Sequence, residues 1–182
     1  MKRLLIVIAL AVMCTSCARV CVLETNMGEM TIGFFEEDAP NSCRQFQKLV
    51  GDGFYDGRDF YRVVKNFVIQ TGGGGAPKLK AEFSERWHAY GALGLGHMGD
   101  PNEADSEIYF CLKELPRLDG RYVIFGQLFE GFDVLDKIGN VEVGDSDRPL
   151  EKVIINRARI ELRPAKKVKT ELARLQQRQT DG

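Results

Sequence analysis

Histidine is scarce in this chain: His88 and His97 are the only two among 182 residues, and neither sits in an HExxH pattern. A catalytic metal site is therefore not expected. The five cysteines, Cys14, Cys17, Cys21, Cys43 and Cys111, form no CxxC spacing except Cys14-Thr15-Ser16-Cys17 near the start. That leaves no zinc or redox motif in the body of the chain, and Cys43 and Cys111 read as small core residues. Neither sign of charge dominates, since 25 basic residues face 26 acidic ones for a formal net charge of −1. A nucleic-acid backbone or an anionic membrane finds no electrostatic footprint here, so no nucleic-acid partner is expected. No apolar run reaches the roughly 20 residues of a membrane-spanning helix. The glycines at 72–75 lack the GK[ST] ending of a phosphate loop. Gly94-Leu95-Gly96-His97-Met98-Gly99 satisfies GxGxxG, but Asp100-Pro101-Asn102 follows where a dinucleotide-binding turn needs a helix to open. No cofactor is expected, and the partner must be sought in local sites.

What is present is a composition of 44% hydrophobic and 28% charged residues, enough for one globular domain with a sizeable core. Residues 1–18 depart from that average. Lys2 and Arg3 precede residues 4–13, which carry no charge, and then comes the small, weakly polar Cys14-Thr15-Ser16-Cys17-Ala18. This is the arrangement of a secretory signal, so residues 1–17 are expected to be an export segment. Ser16-Cys17 also fits a bacterial lipoprotein signal, in which the cysteine after the cleavage point is acylated, although Cys14 stands where an aliphatic residue is usual. A buried first strand or helix is the alternative. The expected location is periplasmic, or lipid-anchored in the cell envelope through Cys17.

From residue 20 onward, short strand patterns alternate with turn signals. Residues 20–25 and 30–35 flank Asn26-Met27-Gly28-Glu29 as a hairpin. Asp38-Ala39-Pro40-Asn41 is a helix start, and Cys43, Phe46 and Val50 share one helical face before Gly51 and Gly53. Further strands are expected over 60–64, 67–71, 92–97, 108–112 and 123–127, with a second helix over 132–138. In 153–162, strict alternation sets Ile154, Asn156, Ala158, Ile160 and Leu162 on one face. Many short strands and two helices indicate a mainly β protein, a barrel with helical plugs. After Arg163-Pro164 the composition turns basic, and residues 164–182 are read as a basic tail, helical by the spacing of Val168, Leu172 and Leu175, and either solvated or lying near anionic lipid.

The informative stretch is 54–73. On strand geometry alone it puts Arg62, Phe67 and Gln70 close together, with Arg62 and Gln70 able to share one surface. That makes either a place for a peptide or a solvated arginine beside a core phenylalanine. The stretch resembles the cyclophilin signature, in which Tyr-Asp-Gly leads to Phe-His-Arg-Val, a Phe and an Ile-Gln-Gly-Gly run; Tyr61 stands for the usual His. Six more blocks stand in the family's order around it, two before at 24–33 and 39–46 and four after, beginning with Gly91 to His97, similar to the bacterial branch, Ser106 to Phe110 and Leu118 to Gly126. Gly144-Asp145 to Ile155 resembles the closing strand.

The resemblance implies a cyclophilin-like eight-stranded β-barrel capped by two α-helices over residues 18–163, acting on proline-containing polypeptides as a peptidyl-prolyl cis-trans isomerase. It implies a monomer. Arg62 would be the catalytic guanidinium. Phe67, Val68, Tyr109 and Leu118 would line the proline pocket, Gln70 would hold the substrate backbone, Gly96 and His97 would flank the preceding residue, and Tyr122 would close the pocket. Four positions depart from the family pattern: Glu107 for Gln, Tyr109 for Phe, Arg117 for an aromatic, and Tyr122 for His. Glu107 is also expected at the substrate site, where it brings a negative charge near Arg62. The competing readings are a peptide-binding module without turnover on the same fold and a structural envelope lipoprotein.

Overall fold

The computed structural model describes residues 16–177. The export segment expected over 1–17 therefore falls almost wholly outside the described residues. The first strand, β1 (Cys17–Thr25), begins three residues earlier than its apolar run suggests and pairs with β2 (Gly28–Phe34) in the expected hairpin. Thr25 closes the turn, its hydroxyl donating to the Gly28 carbonyl and accepting from the Met27 N–H. The early start has a physical cause. Arg19, Ala18 and Cys17 continue the ladder against Leu162, Arg163 and Pro164, so pairing rather than hydrophobicity extends the strand.

Helix α1 (Pro40–Gly51) opens on a proline, and its Ala39 N-cap has no side chain to satisfy the first N–H groups. Glu82 does so from a distant loop, accepting from the backbone N–H of Asn41 and Ser42 and from the Ser42 hydroxyl at 2.7–3.0 Å. Burial acts to raise the Glu82 carboxyl, but these bonds from Ser42 and Asn41 outweigh it and hold it below its ordinary value. Next come β3 (Arg62–Val64), β4 (Val68–Thr71), β5 (Ala92–Leu95), β6 (Ile108–Cys111), β7 (Ile124–Glu130), helix α2 (Phe132–Gly139) and β8 (Ile155–Pro164).

All strand pairs are antiparallel, in the order β3-β4-β6-β5-β7-β2-β1-β8. The two edges meet where the segment before β3 bonds to the start of β8: Gly57 N–H to Ile155 O at 2.7 Å, Ile155 N–H to Arg58 O at 2.8 Å and Phe60 N–H to Val153 O at 2.9 Å. One core fills the interior, with Phe46, Tyr55, Phe60, Phe110 and Phe125 as its largest rings. Cys21, Cys43 and Cys111 are buried, and burial pushes all three thiols up, Cys43 to about 12, as small core residues rather than nucleophiles.

Two expectations are corrected. A third helix, α3 (Ala165–Leu175), follows β8 directly, as the spacing of its apolar residues allowed, but up to residue 177 its apolar face is docked on the barrel rather than solvated. Val168 and Leu172 lie on one helical face and are buried in a cluster that also holds Val20, Phe35 and Phe129, outside the main core. The helix approaches closely because Gly33 offers no side chain; a Cβ there would lie 2.9 Å from Leu172. The Trp87 indole then donates to the Gln176 carbonyl at 2.9 Å, fastening the end of the segment. The second correction concerns β8. Its alternation does not run unbroken, because Thr25 pairs with Ile155 while Glu24 pairs with Arg157, leaving Asn156 as an extra residue. The bulge switches faces, so Val153 and Ile155 before it and Ala158 and Ile160 after it all belong to the core.

Candidate active site

Antiparallel pairing sets four residues in a row across the sheet. Arg62 on β3 lies opposite Gln70 on β4, Gln70 opposite Tyr109 on β6, and Tyr109 opposite Gly94 on β5. Directly paired residues share a face of the pleat, which is why one surface collects a guanidinium, an amide and a ring. Gly94 is required beside that ring, since a Cβ there would overlap the phenol of Tyr109.

Around this row is a pocket of about 190 Å³. Phe67 and Val68 enter it from the β4 end, and Val68 falls on the face of Gln70 two residues on. Gly96 and His97 follow β5, Glu107 precedes β6, and Leu118 and Tyr122 come from the turn before β7. The structure thus brings together all ten residues expected at the substrate site from Arg62 to Tyr122. Cys17, the expected acylation point, is elsewhere, exposed at the start of β1.

Arg62 is held from two sides. Its Nη1 donates to Gln70 Oε1 at 2.5 Å and its Nε to Asp147 Oδ2 at 3.2 Å. Among the described residues, Nη2 makes no hydrogen bond. The Gln70 Nε2 donates to Glu107 Oε1 at 3.1 Å, and the Tyr61 hydroxyl donates to the other Glu107 oxygen. The Glu107 charge therefore faces an amide and a phenol rather than pairing with Arg62. Burial, and then the hydrogen bond to Glu107, push the Tyr61 phenol up, so Tyr61 keeps the proton it donates. Gly96 leaves the room that this carboxylate occupies, because a Cβ there would overlap it.

The Tyr109 hydroxyl does not point into the pocket as an unsatisfied group. It reaches the buried His88, 2.8 Å from Nε2, while His88 Nδ1 lies 2.8 Å from Asp119 Oδ1. Burial lowers the His88 pKa against the opposing pull of Asp119, and burial also holds the Tyr109 phenol well above its ordinary value. Neutral His88 then donates from Nδ1 to Asp119 and accepts a hydrogen bond from the Tyr109 hydroxyl at Nε2, which fixes both ring positions. On the opposite wall, the Arg117 guanidinium lies 4.5 Å from the Phe67 ring centroid and covers one face of it. His97 stacks on Tyr122 with ring centroids 4.2 Å apart.

Nothing in the sequence pointed to the bond between His88 and Tyr109, nor to the part played by Asp147. Asp147 arrives from 85 positions downstream on a turn in which Ser146 and Asp147 both have φ near +60°. The turn composition of Gly144-Asp145-Ser146-Asp147 is visible in the sequence, but not which acid reaches Arg62.

The family described as cyclophilin type peptidyl-prolyl cis-trans isomerase/CLD matches residues 20–160. A peptidyl-prolyl cis-trans isomerase-like 1 of Aspergillus fumigatus is 33% identical over 151 residues, covering 76% of this chain and 93% of its own. A crystal structure of a cyclophilin type peptidyl-prolyl cis-trans isomerase of Cryptosporidium parvum is 28% identical, with a TM-score of 0.76 over 82% of this chain and 100% of that one. The same isomerase in the presence of the dipeptide Ala-Pro is likewise 28% identical, with a TM-score of 0.74 over 78% of this chain and 98% of that one.

Proposed function

This chain belongs to the cyclophilin-type peptidyl-prolyl cis-trans isomerases, and on that footing we propose that it rotates X-Pro bonds of exported polypeptides at the pocket beside Arg62. The chemistry asks for little beyond one well-aimed donor. The X-Pro bond prefers trans by only about 0.5–1 kcal/mol. Conjugation nevertheless sets a rotation barrier of about 18–20 kcal/mol. Twisting the bond returns a lone pair to the proline nitrogen, and a donor that meets it there acts only in the transition state.

The observation that carries this reading is the double hold on Arg62. Gln70 and Asp147 occupy Nη1 and Nε, fixing the guanidinium plane at the pocket while Nη2 remains to donate. Phe67, Val68, Tyr109 and Leu118 supply the apolar wall that would grip the proline ring in either isomer. Gln70, anchored by Glu107, supplies an amide for the peptide backbone.

Delivery to the cell envelope rests on residues 1–17, with Lys2-Arg3, the uncharged run and Ser16-Cys17. Acyl chains on Cys17 would hold the barrel directly against the bilayer, since Cys17 is already the first residue of β1. The activity is tested by a protease-coupled isomerisation assay on a short X-Pro peptide with the purified chain. Acceleration supports the reading, and a rate equal to the uncatalysed one rejects it.

A further inference from the structure

Beyond the proline pocket lies an open groove of about 580 Å³ that shares His97, Leu118 and Tyr122 with it. A polypeptide held in the pocket therefore passes the groove within a residue or two. Its other walls are formed by Phe83, Arg117 and Arg121, and no carboxylate lines it among the described residues. His97 fixes the two sides relative to each other: its Nε2 donates to the Arg121 carbonyl at 3.1 Å and its Nδ1 accepts from the Gly99 N–H at 3.2 Å. The groove is thus part of the same rigid frame as the pocket.

The charge in it is one-sided. Arg117 is stacked on Phe67 and makes no ion pair among the described residues, and Arg121 makes none either. The neighbouring acids are engaged elsewhere. Asp119 is bonded to the buried His88, Glu103 pairs with Lys78 at 2.7 Å, and Asp100 accepts from the Asn102 backbone and amide in its own turn. Two exposed guanidiniums at the rim of an aromatic-walled groove fit a carboxylate whose aliphatic stem can lie on Phe83.

We propose that this groove is a second subsite of the peptide site, taking the side chain of an acidic residue one or two positions from the proline. The inference rests on the reading that the adjoining pocket holds the proline. It makes the enzyme selective for acidic segments, by contacts outside the reacting bond.

The test compares X-Pro peptides that differ only in carrying Glu, Gln or Lys at a position one or two residues from the proline, on either side. The ratio of kcat/KM for the Glu peptide over the Gln peptide should reach about threefold to fivefold at low salt, the upper range for a solvent-accessible ion pair. It should fall to about one at 1 M salt, where the screening length is only about 3 Å. Arg121→Glu should invert the order in favour of the Lys peptide, and Arg121→Gln should abolish the preference. An unchanged Glu-to-Gln ratio in both variants, or a ratio near one for the wild-type protein at every position, overturns the subsite. Failure of the isomerase reading shows differently, as absent turnover on all peptides. In that event the same ratios are read as Kd by peptide titration, with the same outcomes deciding.

Discussion

Arg62 Nη1 donates to Gln70 Oε1 at 2.5 Å across the β3–β4 pair, so the guanidinium is aimed by a residue directly opposite it in the ladder. A group positioned this way and used only at the twisted geometry appears in the rate rather than in ground-state affinity. Arg62→Ala should lower kcat/KM by about 100-fold, equivalent to about 2.7 kcal/mol, with peptide affinity little changed. Phe67→Ala should weaken both, because it removes the pocket wall. The coupled isomerisation assay and a peptide titration separate the two patterns. Wild-type turnover from Arg62→Ala would remove Arg62 from its role.

Glu107 occupies the space that Gly96 leaves open and anchors Gln70. Gly96→Ala should push the carboxylate away and release both the Gln70 amide and the Tyr61 hydroxyl, reducing kcat/KM while the fold persists. Pairing it with Glu107→Gln should give less than the sum of the two losses, since both act on Gln70. Additive effects would show that Glu107 does not position the amide.

His88 is neutral in the folded protein because burial lowers its pKa below the ordinary value of 6.5. As pH falls below that value the unfolded chain takes up the proton first, so stability falls with pH from about 6.5 downward. Chemical denaturation between pH 7.5 and pH 5.5 should show this slope, and His88→Gln should flatten it. An equal slope in both proteins would place the effect elsewhere.

Tyr109→Phe removes the donor to His88 Nε2 and leaves a buried acceptor unpaired. It should destabilise by about 1–3 kcal/mol, although a Phe fits the pocket wall. Thermal unfolding measures it. With His88 already replaced by an apolar residue, the same change should cost much less, and an equal cost in both backgrounds would mean the hydroxyl bond contributes nothing.

For the envelope reading, mass spectrometry of the native protein should find a chain that begins at Cys17 and carries acyl groups. An intact Met1 or an unmodified Ala18 terminus would reject acylation, and the second result would leave export standing.

The family, the strand segments and the site's side chains were legible in the sequence because they depend on local patterns, whereas the order of the strands, with β1 against β8 and β2 against β7, joins distant segments and was not. Short apolar runs between turns mark the strands, and the stretch from Phe54 to Gly73 carries Arg62, Phe67, Val68 and Gln70 at spacings that a hairpin brings to one surface. The bulge at Asn156 was not legible, because a bulge is a mismatch between two strands and leaves no mark on the alternation of one. The docking of α3 was visible only as Val168 and Leu172 at helical spacing, since whether such a stripe is buried depends on a surface elsewhere, here the close approach allowed by Gly33. The same holds for Asp147 at Arg62 and His88 behind Tyr109. Sequence spacing fixes which residue types a segment can offer to one face, but a hydrogen bond or ion pair between distant segments is decided by where the closed barrel brings them, and that distance exists only in the tertiary structure.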